Sequence, residues 1–255
     1  MHRNELYHRI ASQVIAGLVD LVYPPCCLVC GERLDEGVFC EQCTQGIKAV
    51  PPPFCDRCGA PISPDRRVCG RCEQGPGPPY EWSQALGQYT GTLREAIHRL
   101  KYNGKRALAE PLGMLLEASI DSSSSPLIRR DLPNGQAAFD VVVPVPLDAW
   151  RMRRRGFNQA ERIARVVARE RGWRVEADSI VRVRRTRSQT ALAPDARIEN
   201  VRGAFAARSS MCFAGRTVLI VDDVVTTGST VTACADAARS AGATRICVVA
   251  LARGL

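Results

Sequence analysis

Nine of the twelve cysteines in this 255-residue chain lie between residues 26 and 72, and eight of them form four C-x2-C units. The units are Cys27/Cys30, Cys40/Cys43, Cys55/Cys58 and Cys69/Cys72. Residues 27–43 read CLVCGERLDEGVFCEQC and residues 55–72 read CDRCGAPISPDRRVCGRC, an internal repeat of C-x2-C-G, a short hairpin-like loop and C-x2-C. Glycine after the second cysteine permits a sharp knuckle that turns both thiolates toward one metal. Four thiolates at these spacings select a tetrahedral ion, most simply Zn2+, with an iron–sulfur cluster as the alternative. A disulfide scaffold fits less well, because no basic n-region with an A-x-A site marks the chain for export. Repeat-internal pairing gives two zinc ribbons, the arrangement the repeat favours; a cross-braced pairing would join the first and third units. Cys26 is one ligand too many, and Cys212, Cys234 and Cys247 read as small core residues.

The second informative stretch is residues 218–230, VLIVDDVVTTGST. An apolar strand runs into Asp222 and Asp223, then a small hydroxyl- and glycine-rich loop, then a helix. The first N–H groups of a helix lack partners within the helix and suit a phosphate. Gly228 allows close backbone approach, and Thr226, Thr227, Ser229 and Thr230 add hydroxyl donors. The carboxylates repel a phosphate, so they must meet a sugar diol or a bound Mg2+. Taken as a whole, the segment suits a phosphorylated sugar. Neither G-x-x-x-x-G-K-[ST] nor G-x-G-x-x-G occurs.

This run resembles the phosphoribosyl pyrophosphate (PRPP) signature of type I phosphoribosyltransferases. The resemblance implies that Asp222 and Asp223 hold the ribose hydroxyls, and that Thr226, Thr227, Gly228, Ser229 and Thr230 hold the 5′-phosphate.

Hydrophobic content of 45% and charged content of 24% are those of an ordinary soluble protein. The apolar stretch from Ile10 to Val22 is interrupted by Ser12, Gln13 and Asp20, too short and polar to span a bilayer, so the expected location is cytoplasmic. Residues 137–255 hold eleven acids and twenty bases, which is the whole net charge of +9. The basic surface thus belongs to the part with the sugar-phosphate loop and points to anionic partners. Residues 24–75 carry seven acids and six bases, which does not support nucleic-acid binding by the cysteine module alone. That module also has few apolar residues, so metal must supply most of its folding energy. The three histidines are His2, His8 and His98, which excludes a histidine-dependent hydrolase built inside the C-terminal part.

Hydrophobic periodicity divides the chain into an amphipathic helix over 1–23, a double zinc-ribbon module over 24–75, a Gly/Pro linker over 74–81 and a larger domain over 82–255. Helices are expected over 92–101, 157–171 and 229–241, and strands over 140–147, 179–183, 217–221 and 245–251. The Ser/Pro/Asn/Gly-rich segment 121–136 reads as a loop. Strands alternating with helices give a doubly wound, mostly parallel α/β sheet, with the ligand loop at a strand's carboxyl end.

Together these parts resemble the ComF family, which joins a double zinc ribbon to a phosphoribosyltransferase domain. Further matching residues are Lys101-Tyr102 with Gly104, Pro144-Val145-Pro146-Leu147, Arg151, Arg155-Gly156-Phe157-Asn158-Gln159, Gln189, Arg197, Asn200-Val201, Gly203 and Phe205. Members often show His-Pro-Lys-Arg where this chain has Asp148-Ala149-Trp150-Arg151. The resemblance implies a pyrophosphate site at Val145, Pro146, Leu147, Arg151 and Arg155, and a hood loop carrying Arg185, Gln189, Arg197 and Asn200. It implies two structural Zn2+, Mg2+ arriving with PRPP, and displacement of pyrophosphate from C1 by an acceptor. It also links the chain to DNA uptake, either as an enzyme, as a non-catalytic binder of PRPP and single-stranded DNA, or as a zinc-scaffolded adaptor for an uptake helicase.

Overall fold

The computed structural model describes residues 25–102, 104–122, 139–184, 186 and 200–255. The expected helix over 1–23 and almost all of the 121–136 segment lie outside the described residues. The chain separates into two compact units, 1–46 and 47–255. The second four-cysteine group therefore shares a unit with the sheet, whereas composition grouped both cysteine repeats in one 24–75 module.

Unit 1 contains the first cysteine group and a short helix, α1 (Glu41–Gln45). Unit 2 opens with the second group and α2 (Gly70–Gln74), then runs β1 (Trp82–Gln88), α3 (Gly91–Tyr102), a 3-10 turn (Arg106–Leu108) and α4 (Ala109–Ser122). It continues with β2 (Val141–Pro144), α5 (Ala149–Arg155), α6 (Gln159–Arg171), β3 (Ile180–Arg182) and β4 (Phe205–Ala207). The last elements are β5 (Thr217–Val225), α7 (Ser229–Ser240) and β6 (Arg245–Arg253).

Four strands form one parallel sheet in the order β1-β6-β5-β2. Its central strands are near-continuous apolar runs because helices cover both faces. Val218 and Ile220 of β5 and Ile246, Val248 and Ala250 of β6 pack with Cys234, Ala235 and Ala238 of α7 on one side. Helices α3, α4 and α6 contact the sheet as well, and Leu93, Ile97, Leu100, Leu112, Leu116 and Ile163 are fully buried. The α6 stripe read from the sequence, Phe157, Ala160, Ala164, Val167 and Ala168, is buried throughout. Helix α4 approaches α6 closely at Gly113, where a Cβ would stand 2.6 Å from the Cβ of Val166. The short strands β3 and β4 pair antiparallel beside the main sheet.

One boundary differs instructively. The apolar run suggested a strand ending at residue 221, but β5 continues to Val225, because Asp222, Val224 and Val225 pair with Ala250, Ala252 and Arg253 of β6. The two acids are therefore paired strand residues. Among the described residues no helix is long and apolar enough to cross a membrane.

Candidate functional site

The two cysteine groups are built alike. In each, the knuckle glycine takes a left-handed conformation, φ +85° at Gly31 and +66° at Gly59, and its N–H donates to the carbonyl of the first cysteine, Cys27 at 2.8 Å and Cys55 at 2.9 Å. A β-bridge closes each turn, Cys26 with Arg33 and Phe54 with Pro61. Cys27, Cys30, Cys40 and Cys43 gather their sulfurs within 4.8 Å of one another, and so do Cys55, Cys58, Cys69 and Cys72. Pairing is thus internal to each repeat, and the cross-braced alternative falls away.

The Cys30–Cys40 and Cys58–Cys69 sulfurs are 3.6 and 3.7 Å apart. A disulfide needs about 2.0 Å, whereas four sulfurs at about 2.3 Å from one tetrahedral Zn2+ stand about 3.8 Å apart. The donor sets therefore fit structural zinc. Burial raises the Cys27 and Cys55 thiols, but neighbouring backbone N–H groups outweigh it and bring them down to about 6 and about 7. Their partners Cys43 and Cys72 are pushed up by burial and by the neighbouring cysteines, so a metal would have to displace their protons. Of the other cysteines, Cys234 and Cys247 are buried, Cys212 is half-buried and Cys26 is exposed.

The second assembly sits at the carboxyl ends of β2 and β5, adjacent strands whose register pairs Pro144 with Val221. Both chain segments thus leave the sheet at the same edge, where open α/β sheets bind ligands. After β5, Gly228 turns with φ +79° into α7. Thr227 Oγ1 lies 3.0 Å from Ser229 Oγ and accepts from the Ser229 N–H at 3.4 Å. Asp222, Val224, Val225, Thr226, Gly228, Ser229, Thr230 and Val231 line an open cup over this helix start.

After β2, the Val145 N–H donates to the Val221 carbonyl at 2.9 Å, and the Val145 carbonyl accepts from Asn158 Nδ2 at 3.0 Å. Asn158 also caps α6 through its Oδ1. Pro146 and Leu147 are half-buried and lead into α5. Asp148 caps α5 by accepting from the N–H groups of Trp150 at 3.0 Å and Arg151 at 3.4 Å. Its presence is thus accounted for locally.

Successive strand residues face opposite sides of a sheet. Asp222 accordingly lies on the α7 side, in alternation with Val218 and Ile220 and near Cys234. Asp223 lies on the other side, 2.8 Å from Lys101 Nζ of α3, both side chains being well buried. Burial, with Asp223 adding to it, pushes the Asp222 carboxyl up to about 8; the Asp223 N–H, donating at 2.8 Å, and Lys101 act in the opposite direction. Lys101 thus pairs directly with Asp223 and acts on Asp222 through its charge. On the Asp223 side, the Arg155 guanidinium is 5.1 Å from the ring centre of Tyr102 and donates to Gln159 Oε1. Burial lowers the pKa of Arg155, with Asp223 opposing that effect.

Of the residues singled out from the sequence, Asp222, Asp223, Thr226 to Thr230, Val145 to Leu147, Arg151 and Arg155 all fall at or beside this edge. Arg185, Gln189 and Arg197 lie outside the described residues. The segment is bracketed by β3 and β4, and the Asn200 carbonyl accepts from Arg184 Nη2 at 3.1 Å. Sequence reasoning assigned no role to Lys101, Tyr102 or Asn158. Lys101 did carry a signal: it is one of three lysines, with Lys48 and Lys105, among 35 basic residues.

Residues 18–73 match the family model of the double zinc ribbon domain, and residues 136–255 match that of the phosphoribosyl transferase domain. The class is thus a double zinc ribbon joined to a phosphoribosyltransferase domain. The DNA utilization protein YhgH of Escherichia coli K12 is 32% identical over 237 residues, covering 92% of this chain and 100% of that protein. Its counterpart in Salmonella typhimurium is 33% identical with the same coverage. Competence protein F of Haemophilus influenzae is 30% identical over 217 residues, 84% of this chain and 90% of that protein. The chain belongs to this ComF/YhgH family.

Proposed function

We propose that the chain binds PRPP with Mg2+ at the carboxyl ends of β2 and β5, transfers its phosphoribosyl group to an acceptor, and serves the use of external DNA. The observation that carries this reading is the convergence of the 226–230 loop, Asp222 and Asp223, and the β2 exit on one sheet edge. The link to DNA comes from the names of its relatives. The paired thiolate groups suit a reducing compartment, which favours the cytoplasm.

In this reading the loop and the start of α7 receive the 5′-phosphate. Residues 145–147, Arg151 and Arg155 face the pyrophosphate, which guanidinium groups grip bidentately. The bond from C1 to pyrophosphate oxygen breaks as an acceptor lone pair bonds to C1, and Asp222 and Asp223 orient the ribose while C1 gains positive charge. Asp222 lines the cup and is the carboxyl that would meet an Mg2+ carried by the phosphates, whereas Asp223 faces the other side of β5 and is paired with Lys101. When bound, Mg2+ supplies positive charge to the leaving pyrophosphate.

Calorimetry with PRPP and Mg2+ tests the binding, and pyrophosphate release with a panel of bases and nucleotides tests the transfer. Asp223→Asn and Thr227→Val should each weaken binding about tenfold or more, the worth of one charge-assisted hydrogen bond. Absence of heat with PRPP, or unchanged affinity in both variants, would refute the assignment.

One observation favours an additional reading as a single-stranded DNA binder. Trp150 and Tyr102 are 52% and 61% exposed and stand beside the run Arg151, Arg153, Arg154 and Arg155, with the Arg154 guanidinium 5.3 Å from the Trp150 ring centre. Exposed aromatics among arginines suit stacked bases and strand phosphates. Replacing Arg153 and Arg154 together by Ala should flatten the log–log salt slope of oligonucleotide affinity by about 1.4, at about 0.7 per contact. An unchanged slope rejects this surface.

A further inference from the structure

The second four-cysteine group is fastened to the sheet at two points. Strand β6 ends in Arg253, which is 3% exposed. Its Nη2 donates to the Cys58 carbonyl at 2.6 Å and lies 3.3 Å from Ser83 Oγ of β1. The next knuckle residue, Gly59, lies so close to β1 that a Cβ on it would stand 1.9 Å from the Ser83 carbonyl oxygen. The turn that presents Cys58 to the metal is thereby locked to the ends of two strands.

The same strand end supports the loop over the cup. Arg253 pairs in register with Val225, and the Gly254 N–H donates to the Val225 carbonyl at 2.9 Å. Gly254 lies against Thr226, where a Cβ would meet Thr226 Cγ2 at 2.9 Å. From the other direction comes Tyr80, a buried residue of the linker between the cysteine group and β1. Its hydroxyl would be 3.4 Å from a Cβ on Gly228. Thr226 and Gly228 are therefore each backed by a residue that continues directly from the cysteine group or is hydrogen-bonded through its neighbour to it.

We propose that the second four-cysteine group is a buttress for the 226–230 loop, and that Arg253 and Tyr80 are the positioning residues that couple its metal occupancy to anion binding at the loop. The ligand half of this statement rests on the PRPP reading above; the coupling itself does not. The apolar content around the second group is Ala60, Ile62 and Val68 besides the cysteines, too little to hold the knuckle without metal. Without metal the Cys58 carbonyl leaves, and a buried guanidinium loses its principal acceptor. The arginine then has to move, and Gly254 and Thr226 move with it. Linkage is reciprocal, so an anion on the loop should also slow metal loss from this group.

Hydrogen exchange of the peptide spanning 222–232 in the full-length protein, read together with metal content and with the affinity for PRPP, tests the coupling. Cys55→Ser should lose one metal and speed loop exchange about tenfold, the effect of one lost hydrogen bond. Cys27→Ser should lose one metal and leave loop exchange unchanged. Tyr80→Phe should keep both metals and still speed loop exchange, an effect that general destabilisation of the cysteine group would not produce. If Cys55→Ser does not fold, Arg253→Lys replaces it, with both metals retained and the loop loosened. Equal loop exchange in the Cys55 and Cys27 variants, or an unaltered loop in Tyr80→Phe and Arg253→Lys, overturns the proposal. Altered exchange in a protein that shows no heat with PRPP upholds the coupling and rejects the ligand reading alone.

Discussion

The two cysteine groups share their knuckles, bridges and sulfur geometry, yet one glycine separates them. A side chain added at Gly31 meets nothing within 4 Å, while one added at Gly59 would collide with the Ser83 carbonyl at 1.9 Å. Both glycines need a positive φ for the same local reason. Only the second is also required by tertiary packing. The two repeats thus share one metal-binding geometry, and the second is also packed closely against β1.

Substitutions in matched pairs can break this contrast, and metal loss should show it most strongly. A structural zinc site contributes on the order of 10–16 kcal/mol to folding. Cys55→Ser should destabilise the 47–255 unit by about 3 kcal/mol or more, a part of that sum. Cys27→Ser, in the other compact unit, should shift the same transition by no more than about 0.5 kcal/mol. Calorimetric melting with metal analysis decides this, and equal shifts would erase the distinction.

The glycine pair should differ less. Left-handed strain costs about 1–2 kcal/mol at either position, and overpacking adds about 1–3 kcal/mol at Gly59 alone. Gly59→Ala should therefore be the more destabilised by about 1–3 kcal/mol in chemical denaturation. Similar losses would mean that the approach of Ser83 is readily relieved.

A third contrast falls on a single side chain. Arg253→Met removes the donor to Cys58 and should cost about 2 kcal/mol, the worth of a hydrogen bond to a charged group. Chelator-driven zinc release should then quicken at the second group and not at the first. Biphasic release that becomes a single phase, or an unchanged profile, discriminates between these outcomes.

Legibility followed contact distance along the chain. The α6 stripe from Ala160 to Ala168 was readable because helix period repeats within four residues. The zinc ligands were readable because each set closes within one repeat. The 226–230 loop was readable because strand, turn and helix start are contiguous. The end of β5 falls four residues beyond the expected 221 because pairing with β6, not the apolar run, carries the strand through Asp222 to Val225. Lys101 was visible as a rare lysine, but nothing near it in the chain names Asp223 as its partner.

The sequence by itself determined the local chemistry: thiolates and knuckle glycines that gather a metal, and hydroxyls and amides that cradle an anion. These depend on residues close enough in the chain to meet whatever the rest does. Tertiary structure alone decided which of these pieces work together. The sheet order β1-β6-β5-β2 sets the last strand between the first strand and the loop-bearing strand. That placement brings Arg253 to Cys58 across 195 residues of chain and gives Lys101 to Asp223. No periodicity or spacing encodes such meetings, because they arise only when separately folded segments are stacked into one sheet.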